Sequence, residues 1–408
     1  MRNLNGKNEQ KQAGFVLIFL ALAIAVLLGF TGLAIDASRH MVIHAELQTA
    51  ADSCALSAVN ELNAAPDSLF RATEVGKYVG GYKNKKNFQS EIVEIQNSDI
   101  KFSSTLEGVY EDANSANYTT AAFVECKAFA PNIINIFLKF LNIESSDLSA
   151  AARATTIPSQ SACSLPMAAF AKNNSDAVNF GYSKGDIINL SKTSSDVTGG
   201  FFTWADTSGT LGTTSLSPYV QKITQYGQCD VNAVSRCIDI KTGAIASLED
   251  AWNSRFGLYK NGSGSLQPQS AIPDISGYGY RLPGTSAVNA PPTGGALMDY
   301  LVNRVNTRAS FQSTIPGYNI PANIHNNYGA STRRLSSIAV LSTSNSCGGT
   351  KRTLIGWACV FMLAPKSSSQ DAQVEYEGNA SSQNSACRAF GTPGGESSNG
   401  PLVAVLVQ

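Results

Sequence analysis

The stretch from Phe15 to Ile35, Phe-Val-Leu-Ile-Phe-Leu-Ala-Leu-Ala-Ile-Ala-Val-Leu-Leu-Gly-Phe-Thr-Gly-Leu-Ala-Ile, contains no charged side chain. Nothing else in the chain restricts the fold as strongly. As a helix it would reach ~30 Å, the hydrocarbon thickness of a bilayer. Arg2, Lys7 and Lys11 precede it, opposed only by Glu9. An excess of positive charge on one flank keeps that flank in the cytoplasm, so residues 1–14 are expected inside and everything after residue 35 outside. A cleaved secretory signal also begins basic and turns apolar, but its apolar core is usually ~7–15 residues long. Here the run is longer, and helical spacing continues from Asp36 to Leu62 without a breaking linker. The expectation is a single-pass membrane protein whose anchor is residues 15–35.

Beyond the anchor, Ala51, Ala55, Ala58 and Leu62 recur at helical spacing, which predicts one continuous helix to about Asn63. Ala65-Pro66-Asp67 ends it, and Asp67 or Ser68 can cap a second helix running toward Tyr78, stopped by Gly80-Gly81. Ile92, Ile95, Ile100 to Phe102 and Tyr118 to Phe129 read as extended segments. Ile133 to Ile143 reads as an apolar helix, and Ser149 to Ile157 ends as a strand before Pro158. Residues 36–158 are thus expected to form a small α+β domain. Residues 159–408 differ, with short apolar runs between Gly, Pro, Ser and Asn clusters, the pattern of a β-rich domain. Its strongest runs are Leu335 to Ser342, Leu354 to Leu363 and Leu402 to Val407, its helices Leu248 to Phe256 and Gly295 to Val305, and Gly257 to Pro292 reads as a surface excursion. The fold class is α+β.

Lys plus Arg equal Asp plus Glu at 30 each, so no long-range field draws the chain to nucleic acid or an anionic surface. No phosphate-binding glycine loop or dinucleotide fingerprint is present, which argues against nucleotide as a partner. The eight cysteines, Cys54, Cys126, Cys163, Cys229, Cys237, Cys347, Cys359 and Cys387, are an even set suited to disulfides in an oxidising compartment. Their spacing is not that of a metal site. Proximity in sequence suggests Cys229 with Cys237 and Cys347 with Cys359. His40 and His44 stand one helical turn apart but lack the following glutamate of a zinc-protease helix. Ser98-Asp-Ile-Lys101, Ser115-Ala-Asn117 and Lys241-Thr-Gly243 mimic the order of penicillin-binding motifs. Ser98 lies in a strand-like region and Ser115 follows too soon, so no catalytic residue, metal or cofactor is expected.

Three blocks of residues carry a family likeness: Gly14-Phe15 leading the apolar run, Gly32-Leu-Ala-Ile-Asp36, and Leu47-Gln-Thr-Ala-Ala-Asp-Ser-Cys-Ala-Leu-Ser-Ala58. Together they resemble the TadE/TadG-like proteins of tight-adherence (Flp pilus) assembly. Phe137 to Ile143, Leu148 to Ala154, Cys163-Ser-Leu-Pro166 and Gly400-Pro-Leu-Val403 follow in an order similar to the longer TadG-like members. Phe19 stands where pilin processing after Gly14 would require an acid, and no von Willebrand A metal loop is matched. The resemblance implies a non-enzymatic, minor-pilin-like or scaffold subunit of a bacterial inner membrane, with its body periplasmic or extracellular. Its implied partners are other pilus-assembly proteins: minor pilins, the major pilin or the secretin. The alternatives are a surface-displayed adhesin and, from the enzyme class, a periplasmic cell-wall hydrolase. In the anchor helix, Asp36 can pair with Arg39 at i,i+3, and the small face of Ala50, Ala51, Ala55 and Ala58 is suited to close packing against a sister helix.

Overall fold

The computed structural model describes residues 13–162, 164–190, 198–207, 220, 223, 231–232, 237–241, 246–262, 266–268, 270–274, 277, 279–280, 295–303, 317–319, 334–366, 371–383, 385–387, 391–395, 398 and 400–407. Helix α1 (Ala13–Val59) is 47 residues long and has two halves of opposite character. In the first half, Leu17 and Phe30 are 70% and 68% exposed, and Ile18, Phe19, Leu20 and Leu28 are exposed with them. No protein surface covers these side chains, and leaving them in water costs about 1.5–3 kcal/mol each. Among the described residues, α1 is the one helix long and apolar enough to cross a membrane.

The second half of α1 buries Ile43, Leu47, Ala50, Ala51, Cys54, Ala55, Ala58 and Val59. Their spacing of three and four residues puts them on one stripe. That stripe lies on a sheet built from β3 (Ile100–Ser103), β4 (Phe123–Ile134) and β5 (Ser145–Ala162), preceded in the chain by the small β1 (Lys85–Lys86) and β2 (Glu91–Ile92) pair. β4 offers Val124, Cys126, Ala128 and Ala130, and β5 offers Ala150, Ala152 and Ala154, each set alternating along its strand. Alanines on both surfaces bring the helix close to the sheet. Helix α2 (Ser68–Gly76) closes the cluster with Leu69 and Ala72. Gly80 and Gly81 do not stop this helix. They lie in a π-helical turn, Lys77–Tyr82, and a Cβ at Gly80 would stand 2.4 Å from the Cβ of Cys54. The glycine is there for contact with α1.

The second sheet comprises β6 (Met167–Phe170), β7 (Ile187–Leu190), β8 (Phe201–Asp206), β10 (Cys237–Lys241), β13 (Leu335–Ser346), β14 (Lys351–Met362) and β15 (Gln373–Asn379); β9 (Val231–Asn232) belongs to the first sheet, and β11 (Tyr259–Lys260) pairs with β12 (Tyr318–Asn319). Its order is β10-β14-β13-β6-β8-β7-β15, and further pairings of β10 with β8 and β14 with β15 close it on itself. Along β13, Ile338 and Val340 face one cluster while Ala339 and Leu341 face another. Both faces are covered, which is why its centre, Ile338 to Leu341, is apolar without interruption. The helix Ala246–Ser254 adds Leu248, Ala251 and Trp252 to the first cluster, and Trp252 Nε1 donates to the Ala364 carbonyl at 2.9 Å. The fold is mixed α+β with a β-rich C-terminal part. The chain then returns: β16 (Gly391–Pro393) and β17 (Leu402–Leu406) pair antiparallel with β5, Leu402 opposite Pro158 and Leu406 opposite Ala154.

One expected element is replaced. Ile133 to Ile143 is not a helix: β4 runs to Ile134, and a short 3-10 turn covers Leu138–Leu141. Pro131 supplies no N–H, Asn132 takes φ 56° at a register shift, and Asn142 takes φ 65° to end the turn. These three residues suit a bulge and a tight reversal rather than a continuous helix.

Candidate functional site

The two halves of α1 meet at Asp36, and the tip of the β4–β5 hairpin is fastened there. The buried Asp36 carboxylate accepts the backbone N–H groups of Ile136 at 3.0 Å, Phe137 at 2.8 Å and Leu138 at 2.7 Å. Successive amides converging on one carboxylate form an anion-binding nest, here filled by a side chain of the same molecule. Burial pushes the Asp36 carboxyl up, but the three amides together with the field of His40 outweigh it and hold it below the usual carboxylate range. One turn earlier, Phe137 lies over Gly32, where a Cβ would come within 2.5 Å of its ring.

Arg39 is not the partner of Asp36. Its guanidinium donates to the Ile134 carbonyl at 2.7 Å and to Asn87 Oδ1 at 3.2 Å, tying the hairpin tip to the β1–β2 turn. The i,i+3 spacing made an ion pair possible, but amides from the sheet reach Asp36 first. His40 Nε2 lies 2.9 Å from Asn135 Oδ1, and Asn135 Nδ2 donates to the Ile143 carbonyl and to Ser146 Oγ. A groove of about 590 Å³ runs beside this junction between Ile35 and Val42 of α1 and Ile136 and Phe88. Among the described residues, no group of three or more His, Cys, Asp or Glu side chains is arranged to hold a metal ion.

Ala50, Ala51, Ala55 and Ala58 are fully buried against α2, β4, β5 and the π-helical turn of their own chain. The small face expected to meet a sister helix is therefore occupied within the molecule. Periodicity identifies a buried stripe and does not identify what buries it. Cys54, on that stripe, is joined to Cys126 of β4 across 72 residues.

The expected local cysteine pairs are also replaced. Cys237 bonds to Cys347, and Cys359 to Cys387; Cys229 and Cys163 lie outside the described residues. Antiparallel pairing of β10 with β14 sets Cys237 opposite Thr353, which brings it to the β13–β14 turn where Cys347 sits. The partner is fixed by strand register, which short sequence separation does not report.

Sequence reasoning missed a buried polar cluster in the second unit. Arg334 Nε donates to Asp274 Oδ2 at 2.7 Å with both side chains fully buried, and Tyr300 Oη bonds the same carboxylate. The Arg334 guanidinium stands 4.3 to 5.0 Å from the Phe256, Tyr300 and Phe361 rings. Aromatic faces thus share the cation with the acid. No local motif links positions 274, 300 and 334, so no sequence signal could have found the set. Nearby on β15, Glu375 caps the helix Ala296–Asn303 by accepting the Ala296 and Leu297 amides. Glu377 is buried with Oε2 lacking a hydrogen bond, 3.6 Å from Lys184 Nζ. Burial and the neighbouring Glu375 push its carboxyl up to about 9.

The amino-terminal likeness is independently supported: residues 14–61 match the family model described as putative Flp pilus-assembly TadE/G-like. The matched segment is α1 from the start of its apolar half to just past its end, the part that carries Asp36 and the alanine stripe. No curated protein and no solved structure matches the chain.

Proposed function

We propose, from the premise that residues 14–61 are those of a TadE/G-like Flp pilus-assembly protein, that this chain is a structural component of a tight-adherence pilus apparatus. Its anchor, residues 15–35, crosses the bacterial inner membrane once, with residues 1–14 in the cytoplasm. The segments that follow, 36–158 and 159–408, the second returning β9, β16 and β17 to the sheet of the first, stand outside it. The chain acts by placing a body at a fixed height over the membrane, not by chemistry on a substrate.

The observation that carries this reading is the division of α1 at Asp36. The preceding half has apolar side chains that no part of the chain covers, and the following half is sunk in its own domain. One unbroken helix thus transmits the position of the anchor to the sheet without a hinge. Disulfides at Cys54–Cys126, Cys237–Cys347 and Cys359–Cys387 accord with an oxidising compartment. Because Ala50 to Ala58 are committed internally, pilins or the secretin would meet the uncovered anchor face or the outer surfaces of the two units. Deletion of the gene followed by electron microscopy and analysis of sheared filaments tests the proposal. Loss of pili with the chain absent from filaments marks an assembly factor, and its presence in filaments marks a pilin-like subunit. Normal pili and normal attachment in the deletion strain would refute the role.

A further inference from the structure

We propose that the tip of the β4–β5 hairpin, residues 134–143, is a second membrane contact, seated in the lipid interface beside the outer end of the anchor. The inference rests on the reading that α1 crosses a bilayer, and it assigns a surface which that reading leaves unexplained.

The height of the tip is fixed by the structure. Asp36, the first residue after the apolar run, holds the amides of residues 136–138. Phe137 reaches back over Gly32, about 6 Å further toward the anchor at 1.5 Å per residue. A helix crossing the membrane up to Ile35 therefore carries this tip at the level of its own last turn.

The chemistry of the tip suits that level. Phe140, Leu141 and Ile134 are 79%, 71% and 68% exposed, and Ile136 and Ile143 are exposed beside them. In water this would be a contiguous uncovered apolar patch of the kind that marks an interaction site. It is continuous with the uncovered face of α1, so the solvent that accepts one accepts the other. Lys139 lies among these residues with Nζ 5.8 Å over the Phe140 ring, and its long stem lets the ammonium rise to lipid phosphates while the ring stays below.

The backbone gives a second and independent argument. Irregular chain is tolerated at membrane depth only where its polar groups are satisfied by protein. Here the amides of Ile136, Phe137 and Leu138 go to Asp36, Asn135 N–H to the Glu144 carbonyl, Phe140 N–H to Phe137, Asn142 N–H to Lys139 and Ile143 N–H to Leu138.

The test uses the full chain reconstituted into vesicles of phosphatidylethanolamine and phosphatidylglycerol, with a benzophenone amino acid replacing Phe140. The same probe at Leu22, within the anchor, and at Val109, exposed at the opposite end of β4, serves as control. Irradiation and mass spectrometry should find lipid adducts at positions 22 and 140, the latter at least about tenfold above position 109. Lipid adducts at 22 with only background at 140 overturn the inference and leave the anchor standing. Cross-links from 140 to a second copy of the chain overturn it in favour of self-association. Absence of lipid adducts at 22 removes the spanning reading and this inference with it.

Discussion

Replacing Cys54 and Cys126 together by alanine cuts a covalent tie between α1 and β4 that closes 72 residues of chain. The chain-entropy relation for a closure of that length gives about 4.4 kcal/mol. Both sulfurs are fully buried, and the space left beside Gly76 and Gly80 adds a smaller penalty of roughly 1 kcal/mol. A loss of about 4–5 kcal/mol corresponds to at least about a thousandfold rise in opening of this unit. Separate hydrophobic clusters on two sheets of one chain make a global two-state fit unsafe, so the readout should be local. Hydrogen exchange on the full chain in detergent should show protection of the Val124, Ala128 and Leu47 amides falling by up to that factor. Amides of β13 and β14 in the other sheet should be unchanged. A loss below about tenfold at β4 would refute the loop-closure reasoning. An equal loss at β14 would refute the independence of the two sheets.

The folded-state value of about 9 for Glu377 lies above its ordinary 4.5, so the folded chain keeps a proton that the unfolded chain releases. Stability from this group is therefore present below pH 4.5 and is lost as pH rises toward about 9, by as much as about 6 kcal/mol; Glu377→Gln should flatten the dependence of the urea midpoint on pH and raise it at the alkaline end. Asp274→Ala removes the carboxylate from the buried Arg334 and should cost about 3–5 kcal/mol, whereas removing both charges as Asp274→Leu with Arg334→Met should cost less in the same titration. Asp36→Ala should abolish exchange protection of the 136–138 amides while leaving Ala55 and Ala58 protected; retained protection at the tip would show that Asp36 does not hold it.

What the sequence discloses here follows from the range of the interaction involved. The uncharged run of α1 and the strands Leu335–Ser346, Lys351–Met362 and Leu402–Leu406 follow from local composition, and the periodic strings announce them. The stripe Ala50 to Ala58 is legible as buried, yet its partners sit on β4 and β5, far along the chain. Asp36 directly follows the uncharged run, but its amide partners stand about 100 residues on, and no spacing rule predicts them. Ile133 to Ile143 spaces its polar residues Asn135, Lys139 and Asn142 four and three apart, the pattern of an amphipathic helix. Only Pro131 and the left-handed Asn132 and Asn142 decide against the helix. The cysteine pairs failed for a related reason, since strand register brings together residues 110 positions apart.

The return of β17 to β5 joins two segments far apart along the chain. Thr155 and Ile157 find their edge partners in Val405 and Val403, on the order of 250 residues later, a separation that slows pairing because so long a loop must close first. Until β17 is in place, that stretch of β5 offers a bare edge to any passing strand. A copy lacking residues 402–406 would expose that edge to proteases, so the first sheet is closed only when this distant strand has been added.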